Sequence, residues 1–365
     1  MLVEFMQEEV YQLLDDLNHA VTRPWAVMEV CGGQTHAIAS LGLEELLPPE
    51  LRLIHGPGCP VCVTSVDLID RAVELSLKPG VAVCSYGDMM RVPGSHGDLL
   101  SAKACGGDVR LMYSPLEAVA LAGANPGLDV VFFAVGFETT APATALAMQQ
   151  ARALGYANFS VLCAHVLVPP ALEWLMDQQE GRPDGFLAPG HVCAVTGEKD
   201  YGRLAERYRV PMTVTGFEGT DLLHGILMCV RQLEAGEHGV RNAYRRYARP
   251  VGNPAAKRRM EDVFETEDRH WRGLGLIPDG GMKVRSEWRH MDASVRFDCR
   301  ACDGTADEAS GCMAGQVLRG LLKPVECPHF ASSCTPLNPL GAPMVSGEGA
   351  CAAYYRYKRL SLIHI

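Results

Sequence analysis

"LRLIHGPGCPVCVTSVDLIDRAVELS", residues 51–76, holds the pattern from which the rest of the chain is read. A short apolar run stops at a loop of glycine, proline and cysteine. The residues after it return their apolar members every three or four positions, which is the helix period. The unit is strand, loop, helix, and it recurs. "GVAVCSYGDMMRVPGS" (80–95) opens in the same way, and "DVVFFAVGFETTAP" (129–142) leads into "ATALAMQQARALG". "FSVLCAHVLVPP" (159–170) leads into "ALEWLMDQQ", and "GFLAPGHVCAV" (185–195) and "VPMTVTGFEGTDLLHGI" (210–226) complete the series. Such alternation predicts parallel sheets with helices on their faces.

Working outward, residues 1–22 predict one amphipathic helix, with Phe5, Val10, Leu13, Leu14, Leu17 and Val21 at helical spacing. Two α/β blocks are expected at 23–120 and 121–225. From 226 the pattern changes to a helix-rich stretch and a charged segment, 256–290. The remainder is rich in Cys, Pro and Gly and poor in strand signals, which predicts a small domain stapled by a metal centre. The expected fold class is α/β: two parallel-sheet domains and a small C-terminal domain within 226–365.

The chain has 365 residues, 48% of them hydrophobic and 21% charged, with a net charge of −10. Those values suit an ordinary globular protein. Lys and Arg do not cluster, so no nucleic-acid footprint is present. No apolar run approaches the roughly 20 residues that span a bilayer. The acidic N-terminus has no basic leader, so a cytoplasmic protein without a membrane partner is expected.

Fourteen cysteines are many for such a chain. Cys84, Cys105, Cys163, Cys193 and Cys229 stand singly in or near apolar runs and are expected in the core. Cys59 and Cys62 form a C-x-x-C between a strand and a helix. A thiol there gains from the helix dipole, and Pro60 suits the first helical turn. The pair reads as a redox couple, as half of a zinc site completed by Cys31 and His36, or as two buried thiols. Cys31 ends an apolar run in "MEVCGGQTH" (28–36), with two glycines behind it and His36 five residues on. Cys312, Cys327, Cys334 and Cys351 are separated by fourteen, six and sixteen residues. Four thiolates suit a zinc ion or an iron–sulfur cluster, and the lack of two tight pairs sits better with a cluster. Cys299 and Cys302 read as incidental or locally structural. Asp88, Glu138, His191 and Glu348 lie at strand ends or beside candidate ligands, where each also reads as a cap or a satisfied loop group. His55 is expected to order the CPVC loop. Phe132, Phe133, Met89 and Met90 are expected in the core.

Taken together, "MEVCGGQTH", "GPGCPVCVT", "YGDMMRVPGS", "GFETTAP", "APGHV" and "ECPHFASSCTPLNPLGAPMVSGEGACAAYY" closely resemble the HypD family of hydrogenase-maturation factors. The resemblance runs over almost the whole chain, from "RPWAVMEVCGG" to "EGACAAYYRY". It implies two α/β domains plus a [4Fe–4S] domain. It also implies a scaffold on which the Fe(CN)2CO moiety of [NiFe] hydrogenases is assembled, with the small partner HypC and with HypE as cyanide donor. On that resemblance Cys31 holds the iron, and Cys59 and Cys62 are a redox pair. Cys312, Cys327, Cys334 and Cys351 bind the cluster, His191 and Glu348 support the iron site or handle protons, and His36 is a further site residue. Such a protein is a redox-active assembly scaffold rather than a conventional turnover enzyme. The family usually has histidine where this chain has Gln34. The pair Cys299–Cys302 and residues 358–365 lie outside the resemblance. Two other readings are a stand-alone cluster-dependent thiol–disulfide oxidoreductase and a zinc-stapled binding module.

Overall fold

The computed structural model describes residues 2–298 and 311–358; Cys299, Cys302 and residues 359–365 lie outside that range. The chain opens with α1 (Leu2–Ala20), β1 (Trp25–Glu29), α2 (Gly32–Leu41), α3 (Leu43–Leu46) and β2 (Leu51–His55). The CPVC loop becomes a single turn, α4 (Pro60–Val63), before α5 (Val66–Ser76). Next come β3 (Val81–Ser85), a 3₁₀ turn (Gly87–Arg91), α6 (Leu99–Ala104), β4 (Asp108–Leu111) and α7 (Pro115–Ala124). The series continues with β5 (Asp129–Gly136), α8 (Ala141–Ala153), β6 (Phe159–His165), α9 (Val168–Asp177) and β7 (Gly185–Pro189). It proceeds through α10 (Gly190–Thr196), α11 (Lys199–Tyr208), β8 (Pro211–Thr215), α12 (Gly219–Ala235) and β9 (Gly239–Asn242). After α13 (Pro254–Val263) come β10 (Phe264–Trp271), β11 (Gly275–Val284) and α14 (Ala293–Arg296). The C-terminal stretch carries α15 (Ala314–Leu318), a 3₁₀ turn (Ala342–Met344) and α16 (Ala350–Tyr357).

Two parallel sheets form, as the strand–loop–helix repeats predict. One has the order β2-β1-β7-β8-β9 and the other β4-β3-β5-β6. Every residue of β3, β6, β7 and β8 is buried, as expected when helices cover both faces of a parallel sheet. Phe132, Phe133 and Met89 are fully buried and Met90 nearly so, as expected from the sequence.

The sheets do not follow the division into blocks 23–120 and 121–225. A boundary at residue 120 falls inside α7. The chain starts the first sheet with β1 and β2, leaves to build all of β3–β6, then returns to add β7–β9. Each strand–loop–helix unit reads alike, so the alternation reports parallel pairing but not which strands are neighbours.

Three further expectations are corrected. The segment 256–290 is not merely charged: it folds into the antiparallel hairpin β10–β11. β10 alternates between half-buried and exposed residues in its middle, so its inner row is too weakly apolar to announce a strand. The helix-rich stretch after 219 ends at Ala235, and β9 follows as the edge of the first sheet. Cys105 is exposed at the end of α6, whereas Cys84, Cys163, Cys193 and Cys229 are buried as expected.

Glu138 follows β5, and its Oε1 accepts the Val168 N–H at 3.1 Å, capping α9. Its Oε2 has no hydrogen-bond partner among the described residues. Burial pushes its pKa from 4.5 up to about 7, against the pull of the Val168 N–H. A carboxyl that holds its proton more tightly when folded stabilises the fold at low pH. That stability is lost as pH rises from about 4.5 to about 7. Glu138→Gln keeps the cap and cannot ionise. It is expected to remove most of this pH dependence, a gain of about 2–3 kcal/mol at about pH 8 relative to about pH 5, read from urea midpoints.

Candidate functional site

In the first sheet β1 and β7 are neighbours, but their onward connections run to opposite sides, β1 to β2 and β7 to β8. Parallel sheets bind ligands in the crevice beyond the strand ends at such a switch point. Cys31 lies there as the N-cap of α2, two residues beyond β1. His191 lies there too, in the first turn of α10 beyond β7.

Cys31 is half-buried. Burial drives its thiol pKa up to about 12, Glu29 and Glu348 add to the rise, and the Gln34 and Gly33 N–H groups pull it down. The sulfur is therefore a neutral thiol at rest, with helix N–H groups already turned toward it. A cation replacing the proton would find a thiolate held in place.

The turn is fixed from several sides. The Gly32 N–H donates to Gly58 O at 2.7 Å. A Cβ on Gly58 would stand 2.3 Å from the Cys31 nitrogen, so only glycine lets the CPVC loop lie against this turn. A Cβ on Gly32 would stand 2.5 Å from Glu348 Cβ, and one on Gly33 would stand 3.0 Å from the Phe217 ring. Phe217 stacks on His191 with ring centroids 4.0 Å apart. Burial lowers the imidazole pKa. Burial raises the Glu348 pKa, helped by Asp88 and opposed by His36. Asp88 accepts the Ser346 hydroxyl at 2.7 Å, tying the "YGDMM" turn to the same loop. His36 Nδ1 lies 3.3 Å from Gly347 O, and Nε2 lies 3.1 Å from the Tyr357 hydroxyl. Glu348 thus lies against the Cys31 turn at Gly32 and is within electrostatic reach of both Cys31 and His36, and His191 joins the turn through Phe217 at Gly33.

Cys59 and Cys62 form a disulfide across a Cα–Cα distance of 5.2 Å. Cys59 caps α4, with its sulfur accepting the Cys62 N–H at 3.1 Å. Both cysteines are buried, at 3% and 1% exposure. With the sulfurs joined and both His36 nitrogens engaged, a zinc site built from Cys31, His36, Cys59 and Cys62 is not assembled.

The sequence alone gave no role to Glu29, which is buried behind the turn. Its Oε2 accepts the Cys31 N–H at 3.0 Å, and its Oε1 accepts the Thr35 hydroxyl at 2.5 Å and lies 2.6 Å from His55 Nδ1. His55 therefore steadies Glu29 rather than the CPVC loop. The available signal was a carboxylate at the end of an otherwise apolar strand.

Gln34 is fully buried, and its Oε1 has no hydrogen-bond partner among the described residues. Its Nε2 donates to Ala188 O and Thr215 O, each at 3.2 Å, fastening α2 to the ends of β7 and β8. Gln34→Ala is expected to cost about 1–3 kcal/mol in a urea titration, because two buried carbonyls lose their donor.

Cys312, Cys327, Cys334 and Cys351 line a second cavity together with Pro343, Met344 and Leu340. None of the four is in a disulfide. The Leu340 N–H donates to Cys334 Sγ at 3.4 Å, and a Cβ on Gly341 would stand 2.4 Å from Cys312 Sγ. Cys351 has its pKa raised by burial and then by Cys312, Cys334 and Cys327. Among the described residues no group of three or more His, Cys, Asp or Glu side chains is gathered closely enough to hold a metal ion. The donor chemistry nevertheless fits a group that takes four thiolates: four thiols line one cavity, an N–H is aimed at one and a glycine yields space to another. The 3₁₀ turn Ala342–Met344 forms one wall of this cavity and also packs on α4.

No helix among the described residues is long and apolar enough to cross a membrane. A family model described as "Hydrogenase formation hypA family" and labelled HypD matches residues 6–358. The chain is 46% identical over 359 residues to the hydrogenase maturation factor HypD of Rhodobacter capsulatus, covering 98% of this chain and 95% of that protein. It is 45% identical over 363 residues to the HypD of Escherichia coli, covering 96% of each. It is 47% identical over 344 residues to the HypD of Azotobacter vinelandii, covering 92% and 90%.

Proposed function

Because this chain belongs to the HypD family of hydrogenase-maturation factors, we propose that it is the scaffold on which iron receives its cyanide and carbon monoxide ligands for a [NiFe] hydrogenase. The observation that carries this reading is Cys31: a single thiol at a sheet switch point, presented on a helix N-terminus beside a buried disulfide. Iron is the cargo. Its arrival expels the Cys31 proton, and the thiolate then binds it as a soft anionic donor suited to low-spin iron. Glu348, which lies against Gly32 and whose burial raises its proton affinity, takes up that proton. The small partner HypC closes the iron's other side, and HypE supplies cyanide.

Cys312, Cys327, Cys334 and Cys351 would hold a [4Fe–4S] cluster, which when bound supplies single electrons. The Cys59–Cys62 disulfide takes two electrons and two protons to open. Its loop packs on the Cys31 turn through Gly58, so its state bears directly on the iron-holding residue. A stand-alone thiol oxidoreductase fits less well, because both sulfurs of the pair are buried from a protein substrate. A zinc-stapled module leaves the Cys31 turn without a task.

The test is anaerobic purification with HypC, followed by iron and sulfide assay and infrared spectroscopy. Iron, sulfide and cyanide and carbonyl stretches are expected together. Zinc without sulfide sinks the cluster, and absent stretches sink the scaffold.

A further inference from the structure

The Glu29 carboxylate begins a chain of hydrogen bonds that leaves the Cys31 turn and reaches α16, the helix that carries Cys351. From Glu29 it passes to His55 Nδ1 at 2.6 Å, then from His55 Nε2 to the Tyr354 hydroxyl at 2.8 Å. Tyr354 donates to Glu44 Oε2 at 2.7 Å, and Glu44 is held by Lys323 Nζ at 3.1 Å and by Lys358. Proton positions follow from this order. The one tyrosyl proton is committed to Glu44, so His55 Nε2 must donate to the tyrosyl oxygen. The links from His55 through Tyr354 to Glu44 are then directional, and the single tyrosyl proton cannot be lent elsewhere without breaking the one to Glu44.

The far anchors flank three of the four thiols in sequence. Tyr354 lies one turn after Cys351 on α16, and Lys323 lies four residues before Cys327. A second tie runs in parallel: Tyr357 of α16 contacts His36 of α2, and Glu348 sits on Gly32. Ala39 of α2 packs with Ala353 and Tyr354 of α16 in a small apolar cluster.

We propose that Glu29, His55 and Tyr354 are positioning residues that couple the C-terminal four-thiol centre to the Cys31 turn. Whatever fixes Cys351 fixes the register of α16, and the buried chain passes that register to the Cys31 N–H. The inference rests on the reading of Cys312, Cys327, Cys334 and Cys351 as a metal centre.

The test is amide hydrogen exchange by mass spectrometry on the anaerobically purified full chain. It compares wild type with Tyr354→Phe, each as isolated and after iron removal by a chelator. Tyr354→Phe keeps the ring and removes only the hydroxyl. It is expected to raise exchange of the peptide spanning 28–41 about tenfold, the usual consequence of losing one buried hydrogen bond to a charged network. Chelation is expected to raise the same peptide in wild type and to add little in the variant, because the path is already cut. Glu44→Gln, which keeps the side chain's shape and removes its charge toward Lys323 and Lys358, should give a smaller rise in the same peptide. The proposal is overturned if Tyr354→Phe leaves 28–41 unchanged. It is overturned equally if the variant raises exchange throughout the chain, or if chelation adds its full effect on top of the substitution. Wild-type protein without iron and sulfide overturns the metal-centre reading instead, and the tie is then judged on the Tyr354→Phe and Glu44→Gln arms.

Discussion

Cys31→Ala is expected to yield a folded protein that carries no iron-bound cyanide or carbonyl. Alanine removes the one soft donor of the crevice, and the neighbours cannot replace it. Both His36 nitrogens are engaged with Gly347 and Tyr357, and the Gln34 amide nitrogen is spent on two carbonyls. Cys59 and Cys62 are joined to each other. Infrared bands of the HypC co-purified protein should fall at least about tenfold, which amounts to about 1.4 kcal/mol or more of lost binding. Cys31→Ser should fare little better, since a hydroxyl is a hard and weak donor to low-spin iron. Iron and sulfide attributable to the four C-terminal cysteines should remain, because Cys31 does not line their cavity. Bands that persist in the alanine variant would remove Cys31 from its role. Loss of iron and sulfide along with the bands would instead point to a misfolded chain.

Glu29→Ala is expected to be the most destabilising single change near the site. The carboxylate is wholly buried and serves the Cys31 N–H, the Thr35 hydroxyl and His55 at once. Removing it strands a buried imidazole against an empty space, with a backbone donor and a hydroxyl beside it. Breaking a buried pair in this way costs about 3–5 kcal/mol, well above the value of a surface ion pair. Urea unfolding reads the loss directly. A change below about 1 kcal/mol would mean that water or a rearranged His55 fills the gap, and the carboxylate would then not be what holds the turn.

The α/β character was legible because a parallel sheet buried on both faces must alternate apolar runs with amphipathic helices. The crevice residues were legible where their chemistry is unusual in place: a cysteine before two glycines, a C-x-x-C at a helix start. Sheet membership was not legible. β1 pairs with β7 across more than a hundred residues of intervening chain, and nothing in either strand marks the other. Glu29 and Tyr354 were missed, and His55 was assigned to the CPVC loop, for a related reason: each looks ordinary alone, and only their meeting gives them this role. Gln34 looked like a ligand position altered, because a polar side chain beside a cysteine reads as chemistry. Its burial against two strand ends makes it a fastener instead.

The excursion of the chain out of the first sheet and back has a consequence for synthesis. β3–β6 are contiguous, so their strand pairing can form once residue 165 has left the ribosome, whereas β1 and β2 have only each other until β7 arrives. The Cys31 turn waits longer still: it needs Ala188 and Thr215 for Gln34, Phe217 over Gly33, and finally Glu348 and Tyr354. No nascent chain shorter than about residue 354 possesses the crevice. The cysteine emerges early but gains its surroundings last, so a half-made chain offers metal an ordinary thiol and not the finished site.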